Sequence, residues 1–393
     1  MNVTPLALHS PGAVQDALRS HGWEDGLARA SAGGIHPLAF HLTGLDQGAL
    51  EALVRFGGGM GLEVVTGGDW AILAGSRSRL SAFARPWTAP EQLLDVALQV
   101  GLAMPSDPGP AWHTARGPVP LDRPTLVGIL NVTPDSFSDG GLYTNVDAAL
   151  VHAEALLGDG ATIIDVGGES TRPGRSELVS TEEELLRVRP VVEALVRAHP
   201  ELVISIDTVK AVVATAALEA GAAVVNDVTG FRFDPEMAGV VAGAGAGAIL
   251  MHSRGGLLEI ASYQHADYGG DVVAGVLAEL RETLAAATDA GIAPDAIVVD
   301  PGFGFSKTVE QSVTLFGQLS ALQALGRPLL VGPSRKRFLG EITGLAVGDR
   351  DRATAAACAL AWERGARLFR VHAVGAAREA LAIAQALDTF PRA

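Results

Sequence analysis

From residue 124 onward the chain repeats one rhythm: a short run of Val, Ile and Leu, then an Ala- and Leu-rich stretch of helical character, eight times over. The apolar runs are Leu126–Asn131, Ile163–Val166, Val203–Asp207, Val224–Asp227, Ala248–Met251, Ile297–Asp300, Pro328–Val331 and Leu368–Val371. The intervening and following helical stretches are Val146–Leu157, Thr181–Arg197, Lys210–Ala220, Pro235–Ala244, Asp271–Ala290, Gln311–Leu325, Ala353–Gly365 and Ala376–Leu387. The runs are continuously apolar rather than alternating, as strands buried on both faces of a parallel sheet require. Eight strand–helix units predict an α/β (β/α)8 TIM barrel. A doubly wound open sheet is the alternative, but such sheets rarely repeat the unit eight times so regularly.

Ahead of the barrel, alternating strand and helix signals over residues 1–104 predict a small α/β module of unknown role. Its strands are expected at Pro37–Leu42, Leu62–Val65 and Trp70–Ala74, with helices at Asp46–Arg55, Ser78–Ala84 and Glu91–Leu102. His36 and His41 sit near its first strand but point to opposite faces, so they read as ordinary residues rather than metal ligands. The proline-rich stretch 105–123 reads as a linker, and on that reading residues 1–118 are dispensable for catalysis.

Composition narrows the class. The formal charge of −15 argues against a nucleic-acid surface, and 48% hydrophobic residues exclude intrinsic disorder. A single cysteine, Cys358, forms no disulfide framework and suits a reducing cytoplasm. No basic segment followed by an apolar core opens the chain, and the longest nearly uncharged run, Met237–Met251, is too short to span a bilayer. A soluble cytoplasmic enzyme is expected. Of 29 basic residues only Lys210, Lys307 and Lys336 are lysines. A lysine kept against so strong an arginine bias suggests a place where a compact, flexible charge is needed.

The strand ends carry polar residues: Asn131, Asp165, Asp207, Asn226 with Asp227, His252, Asp300, Ser334, and Arg370 with His372. Barrel active sites form at that rim. Carboxylates and an amide at Asp207, Asn226 and Asp300 suit a flat heterocycle bearing N–H donors. Arg172, Lys336, Arg370 and His372 suit an anion such as a phosphate, and Asn131 offers a neutral oxygen to Mg2+. Two long small-residue loops, Val132–Leu142 and Ser170–Leu178, are candidate lids. If the charged ligand orders them, binding at the second-substrate pocket should require it.

These residues carry a resemblance. VGILNVTPDSFSDGG (127–141) and IIDVGGESTRPG (163–174) resemble the two signatures of the dihydropteroate synthases. SIDTVK (205–210), NDVTG (226–230), DPGFGFSKT (300–308), GPSRKRFLG (332–340) and RVH (370–372) follow in the same order. The resemblance covers about residues 122–390 and leaves the N-terminal module outside. It implies a folate-pathway transferase that joins 6-hydroxymethyl-7,8-dihydropterin diphosphate to 4-aminobenzoate, giving 7,8-dihydropteroate and pyrophosphate. By matching motif positions it implies pterin contacts from Asp207, Asn226, Asp300, Lys336, Met251 and Phe303. It implies 4-aminobenzoate and lid contacts from Thr171, Arg172, Pro173, Phe137, Phe305 and Ser334. Diphosphate would meet Asn131, Arg172, Arg370 and His372, with Mg2+ on Asn131 and catalysis resting on Asp207, Lys336, Arg370 and His372. A cytoplasmic homodimer with no membrane or nucleic-acid partner is also implied.

The pattern departs from the family at three places. Ala373 stands where an Asp commonly follows RVH, which puts a partner for His372 in doubt. Ser306 replaces a Gly, a change expected to stiffen its loop, and HSRGG (252–256) weakens the assignment of His252. Two rivals share the barrel. A corrinoid-dependent methyltransferase needs no diphosphate site and should lack the FSDGG and SRK segments. A non-catalytic pterin-binding protein should have lost Asn131, Arg172, Lys336 or Arg370, and all four are present.

Overall fold

The computed structural model describes residues 37–84, 89–103, 111–133, 142–169 and 177–389. The chain divides into two compact units, one of residues 1–104 with 386–393 and one of residues 105–385.

In the first unit, β1 (Pro37–Thr43), β3 (Trp70–Ser76) and β2 (Glu63–Gly67) form an antiparallel sheet in that order. Helix α1 (Gln47–Gly59) starts at Asp46, whose carboxylate accepts from the Ala49 N–H at 2.7 Å. With α2 (Arg77–Phe83) and α3 (Leu94–Ala103) it contributes to a core of Leu53, Leu73, Leu80, Phe83, Leu93 and Ala97. His36 and the His41 side chain lie outside the described residues.

The second unit is a closed parallel barrel of β6 (Thr125–Asn131), β7 (Ile163–Gly167), β8 (Val203–Asp207), β9 (Val224–Asp227), β10 (Gly247–Met251), β11 (Ile297–Asp300), β12 (Leu329–Val331) and β13 (Ala366–Val371). The barrel helices are α4 (Leu142–Gly158), α5 (Thr181–Ala198), α6 (Ala211–Glu219), α7 (Met237–Ala244), α8 (Val272–Asp289), α9 (Val309–Gly317), α10 (Arg337–Thr343), α11 (Asp351–Glu363) and α12 (Val374–Thr389). The expected single helix over Gln311–Leu325 is instead α9 followed by a 3-10 turn at Leu319–Leu325. Helix α9 begins with a capping box, Thr308 accepting from the Gln311 N–H and Gln311 from the Thr308 N–H. Helix α10 was not legible in the sequence.

Side chains point alternately into the barrel and onto the helices, so every second residue climbs one layer of the interior. The lowest layer is wholly apolar: Val127, Ile163, Val203, Val224, Ile249, Val298, Leu330 and Leu368. Two residues further along the strands stand Asp165, Ser205, Asn226, Met251, Asp300 and Arg370. A two-residue step thus turns a dry floor into a polar site.

The stretch expected to be a linker is in part structured. Residues 111–120 form a hairpin, β4 (Ala111–Thr114) with β5 (Gly117–Pro120), at the foot of the barrel. Its Trp112 is fully buried among the apolar floor residues and donates its indole N–H to the Ala296 carbonyl at 2.8 Å. Gly247 at the start of β10 leaves the space, since a Cβ there would stand 3.0 Å from the indole. Arg116 also donates to the Gly221 carbonyl at 3.0 Å. Proline suits the hairpin because a two-stranded ribbon consists of edges, where missing N–H donors cost little. The dispensable stretch is therefore expected to end before this hairpin rather than at residue 118. A fragment beginning at Pro105 is expected to fold and retain turnover, whereas one beginning at Val119 should melt at lower temperature. Thermal melting of the two fragments, with turnover measured alongside, checks this.

Candidate active site

The strand ends and following loops surround a cavity of about 630 Å3. Asn131, Asp207, Asn226, Met251, Asp300, Phe305, Ser334, Lys336, Arg370 and His372 all line it. Phe303 does not. It is almost fully buried and packs its ring against Phe316 (5.3 Å between centroids) and Phe338 (5.9 Å), behind the cavity wall. Left-handed residues at Gly302, Gly304 and Ser306 break the ordinary alternation of the chain, so Phe305 faces the site and Phe303 packs against Phe316 and Phe338. Phe137, Thr171, Arg172 and Pro173 lie outside the described residues, as does most of both candidate lids. Sequence reasoning missed the outer wall of Tyr263, Arg337, Glu341 and Val347; Arg337 lies within the GPSRKRFLG segment but was given no role, and the other three carry no motif signal.

The acidic side is a connected network. Asp207 and Asn226 are cross-strand partners on β8 and β9, and Met251 pairs with Asp300 on β10 and β11. Arg370 donates Nε to Asp165 Oδ2 at 2.6 Å and Nη2 to Asp207 Oδ2 at 2.5 Å. Asn226 Nδ2 donates to Asp165 Oδ2 at 3.1 Å. Burial pushes the Asp207 carboxyl up to about 7, with Arg370 pulling the other way. Burial raises Asp300 as well, opposed by the Gly302 N–H it accepts at 2.7 Å and by Lys336. For Arg370, desolvation alone would lower the guanidinium, but Asp165 and Asp207 outweigh it and hold it above its ordinary value.

The cavity also borders an apolar cluster. Val209, Val228, Met251, Ile260 and Phe305 form one cluster, and the Lys336 ammonium sits 3.6 Å above the Phe305 ring. Burial lowers Lys336 to about 8. A slot with a carboxylate and amide edge and an aromatic and thioether face suits a flat ring with N–H donors on its rim.

All three lysines do structural or site work. Lys210 donates to Glu169 (2.7 Å), Glu184 (2.5 Å) and the Val179 carbonyl (2.8 Å), using every N–H it has. Lys307 is buried among the carbonyls of Phe305 (3.1 Å) and Gly302 (3.2 Å) and His252 Nδ1 (2.8 Å). Left-handed residues at Gly302, Gly304 and Ser306 (φ 68°, 75° and 48°) shape the turn around its ammonium. Ser306, the expected stiffening departure, donates its hydroxyl to the Arg254 carbonyl at 2.7 Å and accepts the Arg254 N–H at 2.9 Å.

His252 does not line the cavity. It is buried, accepts from Lys307 and faces Glu279 through Nε2 at 3.1 Å. Burial, then the Lys307 charge, lowers its pKa from 6.5 to about 4. Between those values the unfolded chain binds a proton that the fold refuses, so stability should fall as pH drops from 6.5 towards 4. His252→Asn is expected to flatten that part of a Tm-against-pH curve, and an unchanged slope would place the effect elsewhere. The doubt over a partner for His372 is also answered: its Nδ1 lies 2.9 Å from the Ser334 hydroxyl, which accepts its backbone N–H at 3.2 Å.

The donors for a magnesium ion are few. Among the described residues no three His, Cys, Asp or Glu side chains cluster as a metal site. Asn131 Oδ1 and Asp207 Oδ2 lie on either side of Gly167, 3.5 and 3.6 Å from where its Cβ would stand. One amide oxygen beside a carboxylate fits Mg2+, which keeps most of its shell in water and phosphate oxygens.

The pterin-binding enzyme family model matches residues 127–372. The dihydropteroate synthase of Bacillus subtilis is 42% identical over 263 residues, covering 67% of this chain and 88% of its own. The Xanthomonas albilineans dihydropteroate synthase solved with 4-aminobenzoic acid aligns with a TM-score of 0.66 at 44% identity, over 72% of this chain and 99% of that one. The same enzyme in complex with 7,8-dihydropteroate aligns with a TM-score of 0.64 at 43% identity, over 72% and 100%. The matched span is the barrel with its polar rim, and the chain belongs to the pterin-binding enzymes and, among them, to the dihydropteroate synthases.

Proposed function

We propose the following division of labour for the dihydropteroate synthase reaction, in which 6-hydroxymethyl-7,8-dihydropterin diphosphate and 4-aminobenzoate yield 7,8-dihydropteroate and pyrophosphate. The observation that carries it is the convergence of Asp207, Asn226, Asp300 and Lys336 on one cavity with Arg370 and His372. Asp207, Asn226 and Asp300 take the N–H edge of the pterin, and Met251 and Phe305 cover its face. Lys336 holds the ring from the Phe305 side. Arg370 and His372 meet the diphosphate, and Ser334 and Phe305 flank the 4-aminobenzoate, with Thr171, Arg172, Pro173 and Phe137 assigned there by motif. The C–O bond to the diphosphate breaks first. The arylamine nitrogen then bonds to the pterin methylene and loses a proton.

No side-chain nucleophile is needed. Buried carboxylates stabilise the forming cation, and the cationic side receives the leaving anion. A magnesium ion, held by Asn131 together with the diphosphate, would neutralise leaving-group charge. Cys358, buried in α11, serves as packing.

A homodimer and a cytoplasmic location are further proposals. Exposed Ile342, Val347, Leu360 and Ile383 offer apolar surface for the first. For the second, no described helix is long and apolar enough to cross a membrane. The test of the reaction is pyrophosphate release. It should require both pterin diphosphate and 4-aminobenzoate, and release that ignores 4-aminobenzoate would overturn the reading.

A further inference from the structure

Asp165 is fully buried on β7 and does not line the cavity, yet three site residues depend on it. One of its oxygens, Oδ2, accepts from both Arg370 Nε (2.6 Å) and Asn226 Nδ2 (3.1 Å). Arg370 reaches onward to Asp207 through Nη2 at 2.5 Å. A single carboxylate one layer below the mouth therefore fixes the base of a guanidinium and the plane of an amide. The guanidinium is held through Nε by Asp165 and through Nη2 by Asp207, which leaves Nη1 to serve the cavity. The other oxygen, Oδ1, has no hydrogen-bond partner among the described residues, nor has Ser205 Oγ, whose residue pairs with Asp165 across β7 and β8.

We propose that Asp165 is a positioning residue that aims Arg370 at the diphosphate and Asn226 at the pterin edge without touching either substrate. The proposal rests on the assignment of Arg370 to the diphosphate. An anchored guanidinium presents its free N–H groups in one orientation, so the anion does not have to order a flexible side chain on binding. Because Asp165 Oδ2 is shared, both ends of the pterin substrate depend on one buried group. The 4-aminobenzoate side does not.

A double-mutant cycle tests this, read as the Kd of magnesium pyrophosphate by titration calorimetry and as the KM of each substrate. Asp165→Ala should weaken pyrophosphate about tenfold and raise the pterin diphosphate KM similarly, leaving the 4-aminobenzoate KM within about twofold. In an Arg370→Met background the same change should alter the pyrophosphate Kd by less than about twofold, since residues that act through one contact are not additive. Asp165→Asn keeps an oxygen that can accept both donors and turns an N–H2 toward Ser205. It should fall between wild type and alanine, and it carries the cycle if the alanine variant does not fold. Additive losses, an unchanged pyrophosphate Kd in Asp165→Ala, or equal losses for both substrates would overturn the proposal. If Arg370→Met alone leaves pyrophosphate affinity intact, the diphosphate assignment falls and this proposal with it; a large Arg370→Met effect with additive losses removes only the role of Asp165.

Discussion

Asp300→Asn is expected to weaken pterin binding by about 2–4 kcal/mol while leaving 4-aminobenzoate affinity nearly unchanged. The carboxylate ends β11 and lines the cavity, with one oxygen held by the Gly302 N–H at 2.7 Å. Gly302 is fixed in turn, because its φ is +68° and a Cβ there would collide with the His252 carbonyl at 2.0 Å. The second oxygen is left to face a ring N–H. An asparagine in this frame either keeps the Gly302 bond and presents an N–H2 to the ring's donors, or flips and loses that bond. Each choice leaves a buried donor unsatisfied. Near-normal pterin affinity in calorimetry would remove Asp300 from the ring-binding set.

Trp112→Ala should destabilise the barrel by about 3–5 kcal/mol, the range for deleting a large buried aromatic. The indole contacts the lowest interior layer together with Val119 and Leu121, and its N–H bond to Ala296 would be lost as well. Denaturant unfolding read by far-UV circular dichroism measures the loss. A change below about 1 kcal/mol would mean that the floor closes without the plug. The effect should fall on stability rather than on KM, because the site residues stand a layer above the floor and do not touch the indole.

All eight barrel strands were legible from uninterrupted Val, Ile and Leu runs, and three of them, β8, β9 and β11, match the expected limits. Both sheet faces are buried in such a barrel, so composition alone marks the strands. The hairpin at 111–120 was hidden because its stability comes from Trp112 in a distant floor, while locally its prolines signal a coil. Helix α10 was hidden because it spans only two turns and follows a segment recognised for its charges. The rim residues were legible as types but not as partners. Nothing in the spacing says that Arg370 ties Asp165 to Asp207, 205 and 163 residues away. Phe303 and Phe305 are equivalent in sequence. Only the alternating left-handed turn sends one to the core and the other to the substrate.

The lysine placement has a practical consequence for chemical labelling. Two of the three lysines are buried, Lys210 at 8% and Lys307 at 1% exposure, and both spend their ammonium groups on internal acceptors. Lys307 and Lys336 both border the cavity, but Lys307 is almost fully buried and tied to internal acceptors, whereas Lys336 is more exposed and its pKa is lowered to about 8. Amine-directed reagents that usually coat a protein's surface at random thus meet one reactive lysine side chain here. Reductive methylation or acylation becomes a site-selective reporter, and bound pterin should shield it.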